Sequence, residues 1–209
     1  MDVLRRALVS FVFLIVALPA VAAERPVLVC FGDSITAGYG LAQPGDAYPA
    51  VLERRLAMAG YSYRVVNEGT SGATTKDAVA NVRAVLRLRP QAVIVEFGGN
   101  DGLRGLPLDA TRRNLDAVLT QLEAAHVKVL LAGITLPPNY GPEYIHAFEG
   151  IFRDLAAKHH TAFVPMIYKD LVKVPGTIQG DGIHPTAKGA SIIADTLLPV
   201  LKPLLVKER

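Results

Sequence analysis

From Val27 onward, short apolar runs alternate with segments whose apolar residues recur every three or four positions. The runs are VLVCF (27–31), YRVVN (63–67), AVIVEF (92–97), VKVLLAGI (127–134) and AFVPM (162–166). The third and fourth are nearly continuous, the pattern of strands covered on both faces. Helical spacing follows the runs. Tyr48, Val51, Leu52 and Leu56 stand at i, i+3, i+4 and i+8, and Leu115, Val118, Leu119 and Leu122 at i, i+3, i+4 and i+7. Ile145, Phe148, Ile151, Phe152 and Leu155 continue the spacing, and Thr186 to Leu205 repeats it with Ile192, Ile193, Leu197, Val200 and Leu201. This alternation predicts an α/β protein with a parallel sheet and helices on both faces. No repeat, low-complexity tract or linker divides the pattern, so residues 24–209 are expected to form one domain.

Ligands of such sheets sit beyond the carboxyl ends of the strands. Three polar, glycine-containing segments fall there: FGDSITAG (31–38) at the end of the first run, GTSGAT (69–74) after the second and GGNDG (98–102) after the third. The first carries Ser34, which either caps a helix or acts as a nucleophile.

The N-terminus departs from the pattern. Arg5 and Arg6 precede ALVSFVFLIVALPAVAA, an uncharged stretch ending in small residues. Residues 1–23 therefore read as a signal peptide, and a periplasmic protein is expected, with full secretion as the second choice and no stable membrane insertion after cleavage. Of 209 residues 51% are hydrophobic, enough for a full core, and the formal charge is +3. No Lys/Arg cluster exceeds a pair, and basic residues are interleaved with acidic ones, which argues against a nucleic-acid partner. Cys30 is the only cysteine, which excludes an internal disulfide and a cysteine-based zinc site and fits a core position.

A serine hydroxyl is a poor nucleophile until a base takes its proton, and that base works best when a third group holds its tautomer. The segment DGIHP offers such a pair, Asp181 and His184, spaced so that a turn can bring carboxylate to imidazole Nδ1–H and leave Nε2 for Ser34. Developing oxyanion charge also needs donors. Ser34 N–H at a helix start, Gly72 N–H and the Asn100 side-chain amide qualify.

GDSITAG, the glycine of TSGAT, GGND and DGIHP together resemble, in order, the four motif blocks of the SGNH, or GDSL-type, hydrolases. GDSITAGYG, GGNDGLRGL and LPPNYGPEY are similar in particular to the secreted bacterial thioesterase I, arylesterase and lysophospholipase group. The resemblance covers essentially the whole mature chain. It implies a three-layer α/β/α fold with a flavodoxin-like five-stranded parallel sheet. It also implies Ser34 as nucleophile, Asp181 and His184 as its partners, and an oxyanion hole of Ser34, Gly72 and Asn100. No metal or organic cofactor is implied. The expected partner is a small acyl ester or thioester, and the expected state a monomer.

Other motifs are missing: GTSGA fails the G-x-S-x-G elbow at Ala73, and there is no Walker A, G-x-G-x-x-G or H-E-x-x-H sequence. His126, His159 and His160 end helical segments and read as partners of the helix dipole, His146 as a surface residue, and Asp33 as a turn former. Asp101 adjoins Asn100, but the spacing to His184 favours Asp181 as the acid. Two loops, LRGLPL (103–108) and TLPPNYGPEY (135–144), are unusually apolar, so Leu103, Leu106, Leu108, Pro137, Pro138 and Tyr140 are expected to line an acyl pocket. Two further readings are open: a carbohydrate acetylesterase, disfavoured by the lack of tryptophan, and a binding module that keeps the fold, disfavoured because no catalytic position is lost.

Overall fold

The computed structural model describes residues 24–207, so the signal-peptide segment 1–23 lies outside the described residues. β1 (Val27–Gly32), β2 (Arg64–Gly69), β3 (Ala92–Glu96), β4 (Lys128–Ala132) and β5 (Ala162–Val164) pair in parallel, in the spatial order β2-β1-β3-β4-β5. β1 is an inner strand, with Val29 opposite Val66 on one side and Val93 on the other. Every residue of β1 and β3 is buried, as is β4 after Lys128, whereas the edge strand β2 is mostly half-exposed. Continuous apolar runs thus became the inner strands, as burial on two faces requires.

The helices are α1 (Ser34–Ala37), α2 (Tyr48–Met58), α3 (Thr75–Arg87), α4 (Gly99–Leu103), α5 (Leu108–Ala124), α6 (Pro142–Lys158) and α7 (Ala187–Leu201). α2 packs against α7 and α3 against α5, which also meets α6, giving a helical layer on each face of the sheet. The inward stripes are the predicted ones: Leu115, Val118, Leu119 and Leu122 of α5 are buried, as are Phe148, Ile151, Phe152 and Leu155 of α6. Each such side chain contributes roughly 1.5–3 kcal/mol by leaving water.

The boundaries differ from the sequence expectation where proline or a polar turn decides. AFVPM yields a strand only to Val164, since Pro165 has no N–H for a ladder. The last helix stops at Leu201 and tightens into a 3₁₀ turn over Lys202–Leu204, because Pro203 cannot donate back to the carbonyl four residues earlier. GGNDG, the polar segment after the third run, starts the one-turn helix α4.

After β1 the chain crosses to β2 on one side, and after β3 to β4 on the other, so the crevice between the carboxyl ends of β1 and β3 is the topological switch point. Ser34 and Asn100 stand at its two lips. A tight join brings the last segment to the same place. Thr186 N–H donates to Thr177 O at 2.9 Å, and a Cβ on Gly189 would lie 2.1 Å from that same carbonyl oxygen. Gly189→Ala is therefore expected to cost about 1–3 kcal/mol through forced displacement, seen as a melting temperature lowered by about 2–12 °C. Unchanged thermal unfolding would contradict this close approach.

Candidate active site

Ser34 opens α1 directly after β1. Asp33 is the N-cap, its Oδ1 accepting from Ile35 N–H at 3.0 Å, so the turn is built by the acid and the serine is displayed at the first helical position. His184 reaches it from a chain distance of 150 residues: Nε2 lies 2.8 Å from Ser34 Oγ. His184 Nδ1 lies 2.7 Å from Asp181 Oδ2, and Asp181 Oδ1 accepts from the main-chain N–H of Ile183 and of His184 at 2.9 and 3.0 Å. Those main-chain donors, with the imidazole, push the Asp181 carboxyl down to about 2, so it stays charged throughout the neutral range. With Nδ1–H donated to that carboxylate, Nε2 is the acceptor facing the serine hydroxyl.

The histidine loop is held from several sides. Gln179 N–H donates to His184 O at 2.7 Å, and Gln179 Nε2 donates to Tyr39 O and Pro185 O at 2.8 and 2.9 Å. Tyr168 OH donates to Ile183 O at 2.9 Å; burial and the nearby carboxyls hold its pKa well above the ordinary phenol value, so it remains a donor. The Tyr39 ring, 54% exposed, rests on the imidazole with centroids 4.6 Å apart. The sequence assigned no role to Gln179, Tyr168 or Tyr39: the first two lie outside the motif blocks, and Tyr39 counted only as part of GDSITAGYG.

Of the three candidate oxyanion donors, Ser34 N–H and Gly72 N–H make no hydrogen bond among the described residues. Gly72 sits at φ +81°, a region that favours glycine, and its carbonyl accepts from Arg104 Nη2 at 3.0 Å. Asn100 is different: Nδ2 donates to Ala73 O at 3.0 Å and to Asp33 Oδ2 at 3.2 Å, so both of its protons are engaged. An oxyanion that uses this amide must share or take over one of them.

Asp101 is not near the imidazole. It is buried, and its carboxylate accepts from Thr75 N–H at 2.9 Å and from the Thr75 and Thr111 hydroxyls, tying α4 to α3 and α5. His159 is more than a dipole partner. It caps α6 with its ring between Asp116 (2.6 Å) and Glu123 (3.0 Å) of α5, whereas His146 is exposed as expected.

Beside the serine opens a cleft of about 620 Å³ with mainly apolar walls. The expected Leu103, Pro137 and Pro138 line it, joined by Ile134, Ile145 and Val172. Leu106, Leu108 and Tyr140 do not line it, which corrects the sequence expectation. Leu106 projects 37% exposed; Leu108 starts α5 and packs on the core; Tyr140 turns its hydroxyl onto Leu103 O at 2.7 Å and its ring towards Tyr144. The missed lining residues come from β4 onward and from the 165–178 segment, whose approach to Ser34 depends on tertiary folding.

A hydroxyl, an imidazole and a carboxylate in one hydrogen-bonded line, at the switch point of a flavodoxin-like sheet, form the constellation of serine hydrolases. Comparison with known proteins agrees. Residues 30–192 match the GDSL-like lipase/acylhydrolase family. The chain is 42% identical over 203 residues to esterase TesA of Pseudomonas aeruginosa, covering 97% of this chain and all of that one. It is 36% identical over 196 residues to thioesterase 1/protease 1/lysophospholipase L1 of Escherichia coli K12, covering 93% and 92% of the two. A crystal structure of TesA superposes with a TM-score of 0.82 at 42% identity, over 86% of this chain and 99% of that one. The chain belongs to the GDSL-like lipase/acylhydrolase family and is a carboxylic ester hydrolase.

Asp181→Asn keeps an oxygen for the two main-chain N–H groups but turns an amide donor towards Nδ1, favouring the tautomer that cannot accept from Ser34. A loss of roughly 10³–10⁴ in kcat is expected, with unchanged thermal unfolding. A loss below tenfold would show that the carboxylate does not set the tautomer.

Proposed function

We propose that the protein hydrolyses acyl esters and thioesters by acyl transfer through Ser34, His184 and Asp181. The observation that carries this reading is the unbroken line Asp181–His184–Ser34, with contacts of 2.7 and 2.8 Å, ending at the mouth of an apolar cleft. As Ser34 Oγ attacks the carbonyl carbon, its proton passes to His184 Nε2 and the carbonyl oxygen becomes an oxyanion. Ser34 N–H, Gly72 N–H and the Asn100 amide receive that charge. His184 returns the proton to the departing alkoxide or thiolate, leaving an acyl-enzyme. Water, deprotonated by the same imidazole, attacks the acyl carbon and frees the acid and Ser34. Nothing in these steps distinguishes an oxygen from a sulfur leaving group, which fits a relative named both thioesterase and lysophospholipase.

The walls of the cleft favour acyl chains over acetyl alone. Each methylene moved from water onto them contributes about 0.8 kcal/mol. The pattern of residues 5–23 supports export, and we assign the enzyme to the periplasm on that ground.

Ser34→Ala is expected to lower kcat on p-nitrophenyl octanoate by roughly 10⁴ or more; near-full activity would overturn the nucleophile assignment. The wild type should prefer octanoate to acetate, whereas an acetate preference would bring the acetylesterase reading forward. Ile145→Asp, on the cleft wall, should reduce kcat/KM for octanoate at least about tenfold more than for acetate. Leu106→Asp should leave that ratio nearly unchanged, and the reverse ranking would place the acyl chain outside this cleft.

A further inference from the structure

Beneath the serine turn lies a second acidic residue. Glu96, the last residue of β3, is 1% exposed, and Asp33 is 2% exposed. Glu96 Oε2 accepts from Thr36 Oγ1 at 2.8 Å, and Thr36 Oγ1 in turn lies 2.9 Å from Tyr48 OH. Glu96 Oε1 is buried and makes no hydrogen bond of ordinary geometry among the described residues, although the main-chain N–H of Asp33 also stands near the carboxyl. Glu96 stands opposite Gly32 in the sheet, which sets its carboxyl beside that of the next residue, Asp33. Asp33 has donors of its own, Ile35 N–H on one oxygen and the Asn100 amide on the other.

Two adjacent carboxyls shielded from water are not both charged near neutral pH. An oxygen without a donor is the one that carries a proton, because a carboxylic O–H then supplies the missing hydrogen bond. We infer that Glu96 is a neutral acid donating its proton to an anionic Asp33, and that this one-proton pair is a positioning device for the Asn100 amide. Glu96 touches no reacting atom; it acts through Asp33, and Asp33 through Asn100. The inference rests on the oxyanion role proposed for Asn100.

The surroundings agree with this proton placement. Burial raises the Glu96 carboxyl well above its usual range, with the Asp33 charge adding to the effect. Burial also raises Asp33, to about 6, while Ile35 N–H, Glu96, His184 and Asn100 oppose the rise. The other titratable groups around the pair are Tyr48 and Cys30, and Tyr168 beyond β5, all pushed upward by burial and therefore neutral. Asp181 faces Tyr168, and His184 faces Asp33. Both members of the pair have folded pKa values above their unfolded ones, so folding takes up protons near neutrality. The corresponding stability is full below about pH 4 and is lost as pH rises through the folded values.

The test uses the mature enzyme and compares Asp33→Asn, Glu96→Gln, Glu96→Leu and Asn100→Ala, singly and combined. Asp33→Asn should lower kcat roughly tenfold to hundredfold, with KM changed less than about threefold, and should lower it no further in an Asn100→Ala background. Glu96→Leu should lose kcat like Asp33→Asn, whereas Glu96→Gln, which still donates to Asp33, should recover most of that loss. Glu96→Gln should also flatten the fall in melting temperature between pH 5 and pH 8. If Asp33→Asn costs as much with Asn100 removed as with it present, or if Glu96→Gln fails to recover what Glu96→Leu loses, the inference is overturned. An Asn100→Ala enzyme with full kcat would instead refute the oxyanion role itself. Should Glu96→Leu fail to fold, Asp33→Asn with Glu96→Gln still decides.

Discussion

The hydrogen bond between His184 and Ser34 joins residues 150 positions apart, and most of the fold serves to hold its two ends. One end is fixed by β1. Because that strand is buried on both faces, its carboxyl end is where the chain can first turn polar, and Asp33 caps the turn that displays the serine. The other end is fixed less by burial than by main-chain hydrogen bonds. Asp181 folds its own loop through two N–H groups, Gln179 ties that loop to Tyr39 and Pro185, and Gly189 lets α7 start against Thr177. Strain in any of these joints would lengthen the contact on which the proposed proton transfer depends, and misplacement by an ångström is enough to cost orders of magnitude in rate.

Environment divides the labour among the carboxyl groups near the serine. Asp181 sits at the rim, with side-chain exposure of 38% and three donors on its oxygens, and is held charged, as a partner to an imidazolium must be. Asp33 and Glu96 are enclosed, and burial lifts both. The same residue type thereby serves as electrostatic partner on one side of Ser34 and as a hydrogen-bonding frame on the other. Asp101, a fourth carboxylate, is wholly absorbed in joining α4 to α3 and α5. Chemistry in this site follows from solvation and donors more than from the count of acids.

Much of this was legible in the sequence, for identifiable reasons. Strands buried on two faces leave apolar runs, and amphipathic helices leave a three-to-four spacing, so element order and sheet class could be read. The residues now found in line, Ser34, His184 and Asp181, stand in short motif blocks at strand ends. What could not be read depends on contacts made only in three dimensions. Tyr39 and Gln179 acquire meaning through the loop they clamp. Leu106 and Tyr140 share the composition of the true cleft walls but point elsewhere, since α4 ends at Leu103 and the Tyr140 hydroxyl is drawn to its carbonyl. Glu96 did leave a signal: a carboxylate inside AVIVEF conflicts with burial on both faces, and such local conflicts mark functional positions.

In the proposed mechanism Ser34 carries the acyl group. The most direct measurement is covalent labelling of the mature protein with a fluorophosphonate or a slowly turned-over acyl ester, followed by peptide mass spectrometry. One adduct per chain, on Ser34, with its formation abolished by His184→Ala, is expected. A stoichiometric adduct on another residue, or hydrolysis that proceeds with Ser34 unlabelled, would contradict it.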